Sequence, residues 1–133
     1  MLIVTEPTAT EFILIDSSGW LECLTDDTKA ALFLPYFSSD SRRVLISPII
    51  IYEVRKILLL RHGTRAADDF SSQAEQYESI EIDNSLAQKA VSISISHRLP
   101  MADSLIYASA LVRKAELITS DAHFKDLPGV ALL

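Results

Sequence analysis

Short runs of uninterrupted apolar residues alternate along this chain with longer stretches whose apolar residues recur every three or four positions. Phe12-Ile13-Leu14-Ile15 is the first such run, and two of its four residues are β-branched. A short run that is apolar at every position fits a strand buried on both faces of a parallel sheet. Val44-Leu45-Ile46, 79–82, Leu117-Ile118-Thr119 and 130–132 read as four more strands. Between them the spacing predicts helices over 19–23, 26–36, 48–62, 65–76, 84–97 and 100–114. Ser47-Pro48 supplies an N-cap and a first helical residue, and Gly63 supplies a stop. Thr64 and Asp83-Asn84 are placed to cap the helices that follow them.

Strands that alternate with helices in this way predict a three-layer α/β/α sandwich around a mainly parallel central sheet. The 133 residues suit a single domain, with no internal repeat, low-complexity tract or linker. Residues 1–10, with Pro7 and several Thr, read as an extra strand or a loose arm.

Composition narrows the picture a little. Hydrophobic residues make up 49% of the chain and charged residues 23%, ordinary values for a globular domain. No apolar run approaches the ~20 residues that span a bilayer. The first eleven residues lack a basic segment, which argues against a secretory signal. A single cysteine, Cys23, can form no internal disulfide, so a reducing cytoplasm is the expected compartment. The net charge of −6 argues against a broad phosphate-binding surface. It serves solubility, or part of it is gathered around a cation. The positions of the acids bear on that choice.

In open parallel sheets, ligands bind beyond the carboxyl ends of the strands. Asp16 follows the first strand directly, and Asp121 follows the strand at 117–119. Each is also a natural cap or turn acid. Glu53 shares a helical stripe with Ile49, Ile50, Ile57 and Leu60, where a carboxylate is costly unless paired or bound to metal. Lys56, three residues on, offers the pairing alternative. Asp103 lies in the first turn of its helix, a position that stabilises a carboxylate for structural reasons as well. Together the four suggest a site for Mg²⁺ or Mn²⁺, hard cations that take oxygen ligands. His62, His97 and His123 show no zinc-like spacing and read as surface or helix-end residues. Tyr52, Tyr107 and Phe124 read as core. No glycine-rich phosphate loop is present, and Cys23 has no histidine near it in sequence.

Four stretches carry a resemblance to a known family. They are Phe12-Ile-Leu-Ile-Asp16-Ser-Ser-Gly-Trp20, Ile46-Ser-Pro-Ile-Ile-Ile-Tyr-Glu53-Val, Arg98-Leu-Pro-Met-Ala-Asp103-Ser-Leu-Ile-Tyr-Ala108 and Leu117-Ile-Thr-Ser-Asp121-Ala-His-Phe-Lys-Asp-Leu-Pro-Gly129. In their order and spacing the chain resembles PIN domains, above all the small bacterial toxin ribonucleases of VapBC-type toxin–antitoxin pairs. The resemblance implies an α/β/α fold and a Mg²⁺- or Mn²⁺-dependent endoribonuclease whose acidic set falls on Asp16, Glu53, Asp103 and Asp121. It implies supporting roles for Ser17 and Thr119, with Asp126 in reserve. RNA is the implied substrate, an antitoxin the implied partner, and a homodimer the implied assembly. The chain departs from the pattern in the ten residues that precede the first strand, whose role stays open. Two other functions compete: a PIN-like binding or scaffold protein without turnover, and a phosphoacceptor receiver domain. The receiver pattern needs paired acids at one strand end and an Asp after a central strand, and neither is found here.

Overall fold

The computed structural model describes residues 11–38 and 41–133. Residues 1–10, with the expected extra strand or arm, lie outside the described residues. The strands are β1 (Phe12–Ile15), β2 (Arg43–Ile46), β3 (Glu78–Ser79), β4 (Glu116–Thr119) and β5 (Val130–Leu132). The helices are α1 (Ser17–Leu24), α2 (Ala30–Phe37), α3 (Pro48–Arg61), α4 (Thr64–Ala74), α5 (Asn84–His97) and α6 (Met101–Arg113), with a 3₁₀ turn at Ala122–Phe124.

All strand pairs are parallel, in the order β3-β2-β1-β4-β5. Helices α1 to α4 pack among themselves, and α5 packs on α6. Right-handed crossovers put these two groups on opposite faces of the sheet, which gives the three expected layers. β1 is central, and its residues Ile13, Leu14 and Ile15 are fully buried. The chain leaves β1 toward β2 on one side and enters β4 on the other. Such a reversal opens a crevice at the carboxyl ends of the two strands. The order also differs from the 2-1-3-4-5 order of receiver domains, which removes that alternative.

Local chemistry accounts for most element boundaries. The Ser47 hydroxyl accepts a hydrogen bond from the Ile49 amide at 3.1 Å, and Pro48 opens α3 as its first residue. Asp83 caps α5 by accepting from the Leu86 amide at 2.8 Å. Gly63, with φ 93°, adopts the backbone that lets the chain turn from α3 into α4. Thr64, expected as a cap, is instead the first residue of α4.

The third strand is shorter than expected. Only Glu78 and Ser79 pair, against Leu45 and Ile46. Ile80 adds one bond to the Ile46 carbonyl before the chain leaves the sheet edge. Ile80 and Ile82 pack on the core from outside the ladder, so their apolar pattern reflects burial and not pairing. Helix α2 starts later than expected, because Asp26 takes φ 50° and breaks the helical path.

Trp20 is the hub of one face, with edge-on contacts to Phe37, Phe70 and Tyr77. Beside it, α1 crosses close to β1 at Gly19. A Cβ at Gly19 would lie 2.6 Å from both Ile15 Cγ2 and Phe33 Cδ1, atoms of fully buried side chains. Gly19→Ala is therefore expected to destabilise the fold by about 1–3 kcal/mol through overpacking. Urea unfolding checks it, and an unchanged midpoint would show that the α1 contact yields freely.

Candidate metal centre

Asp16 occupies the end of the central strand and is only 3% exposed. Its backbone is locked to β4, since the Asp16 amide donates to the Ile118 carbonyl at 2.9 Å. Its carboxylate collects hydroxyl donors from two elements. Thr119 Oγ1 donates to Oδ2 at 2.8 Å and Ser18 Oγ donates to the same atom at 3.2 Å. Burial raises the Asp16 pKa, the Thr119 hydroxyl opposes that rise, and the charge of Asp121 adds to it. Asp16 stands at the N-cap position of α1, but its side chain makes no capping bond deeper in the helix.

Glu53 reaches the same place from α3. Ser17 Oγ donates to Glu53 Oε1 at 3.1 Å and lies 3.4 Å from Asp16 Oδ1, so one hydroxyl sits between two carboxylates. Partial burial raises the Glu53 pKa, and the charges of Asp16, Asp103 and Asp121 raise it further. Lys56 does not pair with Glu53; its ammonium lies over the Tyr52 ring, 5.7 Å from the centroid. The apolar stripe expected to hold Glu53 also needs correction. Ile50, Val54 and Leu58 form the buried face of α3, whereas Leu60 is 75% exposed and Tyr52, expected in the core, is 64% exposed. Tyr107 and Phe124 are buried as expected.

Asp103, in the first turn of α6, and Asp121, after β4, complete the cluster. The Thr119 hydroxyl accepts from the Asp121 amide at 3.0 Å while donating to Asp16, and so ties both acids to one strand end. Asp103 has its pKa raised to about 6, by desolvation first and then by the charges of Asp121 and Asp16. Among the described residues no Lys or Arg pairs with any of these four acids. Asp126 lies elsewhere, exposed in the turn before β5 with φ 64°.

One member of the cluster does not follow from spacing along the chain. His123 Nδ1 lies 3.0 Å from Asp121 Oδ1 and 3.3 Å from Asp103 Oδ2. The Asp121 carboxylate also accepts from the His123 amide at 2.9 Å, an Asx turn that swings the imidazole back over the strand end. The signal was Asp121-Ala-His123 directly after a buried strand; no pairing with another histidine announces it.

This donor set fits a divalent cation. Carboxylates gathered at one strand end through shared hydroxyls, with no Lys or Arg paired to them among the described residues, form a site whose repulsion a hard cation would relieve.

Family comparison agrees with the fold. The PIN domain model matches residues 13–130, and the chain belongs to the PIN domain family. Several solved structures share the fold. A toxin–antitoxin complex from Klebsiella pneumoniae is similar with a TM-score of 0.76 and 22% identity, over 90% of this chain and 95% of that one. VapC20 of Mycobacterium tuberculosis, a toxin that cleaves the sarcin–ricin loop, is similar with a TM-score of 0.72 and 18% identity, over 87% and 95%. VapBC2 of Rickettsia felis, bound to promoter DNA, is similar with a TM-score of 0.72 and 13% identity, over 92% and 97%. No curated protein matches the chain by sequence. Among the described residues no helix is long and apolar enough to cross a membrane.

Proposed function

We propose that this chain is a divalent-metal-dependent endoribonuclease and the toxin of a toxin–antitoxin pair. The observation that carries the proposal is the gathering of four acids at one end of the sheet: Ser17 lies between Asp16 and Glu53, Thr119 ties Asp16 to Asp121, His123 lies between Asp121 and Asp103, and no Lys or Arg pairs with the four acids among the described residues. The toxin–antitoxin setting of the similar structures supports the biological half of the reading.

Asp16, Glu53, Asp103 and Asp121 are the residues that would hold Mg²⁺ or Mn²⁺. The chemistry such an ion supplies is neutralisation of a phosphodiester and activation of a water nucleophile. The chain's part is to hold the acids in place. Thr119 and Ser18 orient Asp16, Ser17 orients Glu53, and the turn after β4 orients Asp121. An acidic protein could thereby act on an acidic polymer, because the ion would supply the missing positive charge.

Thr119→Val keeps the side-chain shape and removes the hydroxyl shared by Asp16 and Asp121. Cleavage is expected to fall roughly 10- to 100-fold, in the range typical of groups that orient metal ligands. Full activity in this variant would assign Thr119 to packing alone. The proposal as a whole is tested on total RNA with Mn²⁺, with chelator, and with Asp103→Asn. Cleavage is expected in the first case only. Tight RNA binding with no cleavage in any of them would favour a binding protein without turnover.

The proposal includes an antitoxin and a homodimer, and exposed apolar surface is what supports them. Tyr52, Leu59 and Leu60 on α3 are exposed, as are Val91, Ile95 and Met101 along α5 and the start of α6. Faces of this kind suit protein contacts. An antitoxin segment that placed Arg or Lys among the four carboxylates would replace the cation's charge and block RNA together. Sedimentation of the purified chain is expected to give a dimer, and the product of the adjacent gene is expected to co-purify with it. A monomer with no such partner would leave the nuclease and remove the toxin.

A further inference from the structure

We infer that His123 is itself a metal ligand, completing with Asp103 and Asp121 a mixed nitrogen–oxygen site that favours a first-row transition-metal ion over Mg²⁺. This rests on the reading of the acidic cluster as a metal centre and adds a donor that four carboxylates lack.

The geometry supplies the reasons. One ligand atom from each of Asp103, Asp121 and His123 lies within 4.8 Å of the other two, close enough for a single ion. The three come from different elements: the first turn of α6, the end of β4, and the 3₁₀ turn at Ala122–Phe124. The imidazole is held there by its backbone. Its amide bonds Asp121 at 2.9 Å, and the next residue, Phe124, is fully buried and anchors the turn. The ring itself is 63% exposed, and its only ion-pair partners among the described residues are the two carboxylates. It does not pack as a core histidine would, and solvent ions can reach it.

A nitrogen donor changes which ion the site prefers. Carboxylates and water serve Mg²⁺ well, whereas imidazole gains more from first-row transition metals. Mg²⁺ also keeps its waters tightly and takes few protein ligands. Adding one imidazole to two carboxylates therefore separates the two kinds of ion.

His123 has one competing role, that of a counter-cation. A protonated ring would neutralise Asp103 and Asp121 in the metal-free protein and be displaced when the ion arrives. The two roles have opposite consequences. Removing a ligand weakens metal binding, most for the transition ion. Removing a competing charge tightens binding of every cation.

The experiment is a calorimetric titration of the full chain and of His123→Ala with Co²⁺, an ion that gains more from imidazole, and with Mg²⁺, joined to pulsed EPR of the Mn²⁺-loaded proteins. The exposure of the ring makes the variant a mild one for folding, and circular dichroism checks it. In the variant, Co²⁺ affinity is expected to fall on the order of 10- to 100-fold, with Mg²⁺ affinity changed less than about threefold. Nitrogen modulation is expected in the Mn²⁺ signal of the unmodified chain and of His62→Ala, and is expected to vanish in His123→Ala. Tighter binding of both ions by His123→Ala, or a Mn²⁺ signal without nitrogen coupling, would overturn the ligand role and leave the metal centre standing. An unmodified chain that binds neither ion would overturn the metal centre and this inference together.

Discussion

Asp16→Asn is expected to lower metal-dependent RNA cleavage by at least ~100-fold while raising the melting temperature of the metal-free protein. The two effects share one cause. Asp16 is the most buried of the four acids and feels the charge of Asp121. Its charge is costly in the metal-free state because desolvation and a like charge act in the same direction. Asparagine keeps the size and can still accept from Thr119 and Ser18, so the core around β1 is preserved. What is lost is one negative charge at the place where a cation and a phosphate would meet. Losing a single preorganised electrostatic group typically costs 10²–10³ in rate, and a carboxylate that holds the ion belongs at least in that range. Initial rates on a short RNA, with a melting curve of the same sample, check both halves. A variant that loses activity and melts lower would mean that Asp16 acts chiefly as a structural residue.

The second large effect is on stability and joins pH to metal. Asp103 titrates near 6 in the folded protein, against 3.8 for the ordinary side chain. Between these values the folded state binds more protons than the unfolded state, so stability must fall as pH rises through that window. Most acids, lowered by their partners, do the reverse. Asp16 and Glu53 are shifted in the same direction and add to the trend. Asp103 is partly open to water, so its share is on the order of 1 kcal/mol after solvent screening. Bound cation should reverse the slope, because the carboxylates must be charged to hold it. At about 100 times its dissociation constant, Mn²⁺ would stabilise the fold by roughly 2.7 kcal/mol, which corresponds to a rise of roughly 5–10 °C in Tm. That gain should fade as pH drops below 6. Melting curves from pH 4 to 8, with and without Mn²⁺, check the crossing. Parallel curves would mean that the ion does not engage these acids.

Much of the fold can be read from the sequence because a parallel sheet leaves strong marks. β1, β2 and β4 each carry adjacent buried residues, Ile13 to Ile15, Leu45 to Ile46 and Leu117 to Thr119, and the chain can bury both faces of such runs only between two layers of helices. Asp16 and Asp121 stand out for the same reason, as the first acids after buried strands. The edge of the sheet is less legible. Ile80 and Ile82 look like strand residues but pack outside the ladder, since an apolar pattern records burial and not hydrogen bonding. Helix α3 misleads in another way. Apolar residues occur all around it, so the sequence alone does not tell which side faces the core, and Tyr52 and Leu60 turn out exposed. His123 was hidden by a rule that looks for ligands spaced along one segment. Its partner Asp103 comes from a different helix, and only the tertiary fold brings the two together.

Asp16, Glu53, Asp103 and Asp121 would hold a divalent ion, and the chemistry that ion would supply is a water nucleophile for the RNA backbone. The most direct measurement is the chemistry of the cut ends. A defined RNA would be cleaved in Mn²⁺ and its fragments mapped by mass. The ends are expected to be 5′-phosphate and 3′-hydroxyl, formed only with the metal and lost in Asp16→Asn. Fragments with 2′,3′-cyclic phosphates would contradict it, because the ribose hydroxyl and not water would then be the nucleophile, and cleavage that persists in excess chelator would contradict the part given to the ion.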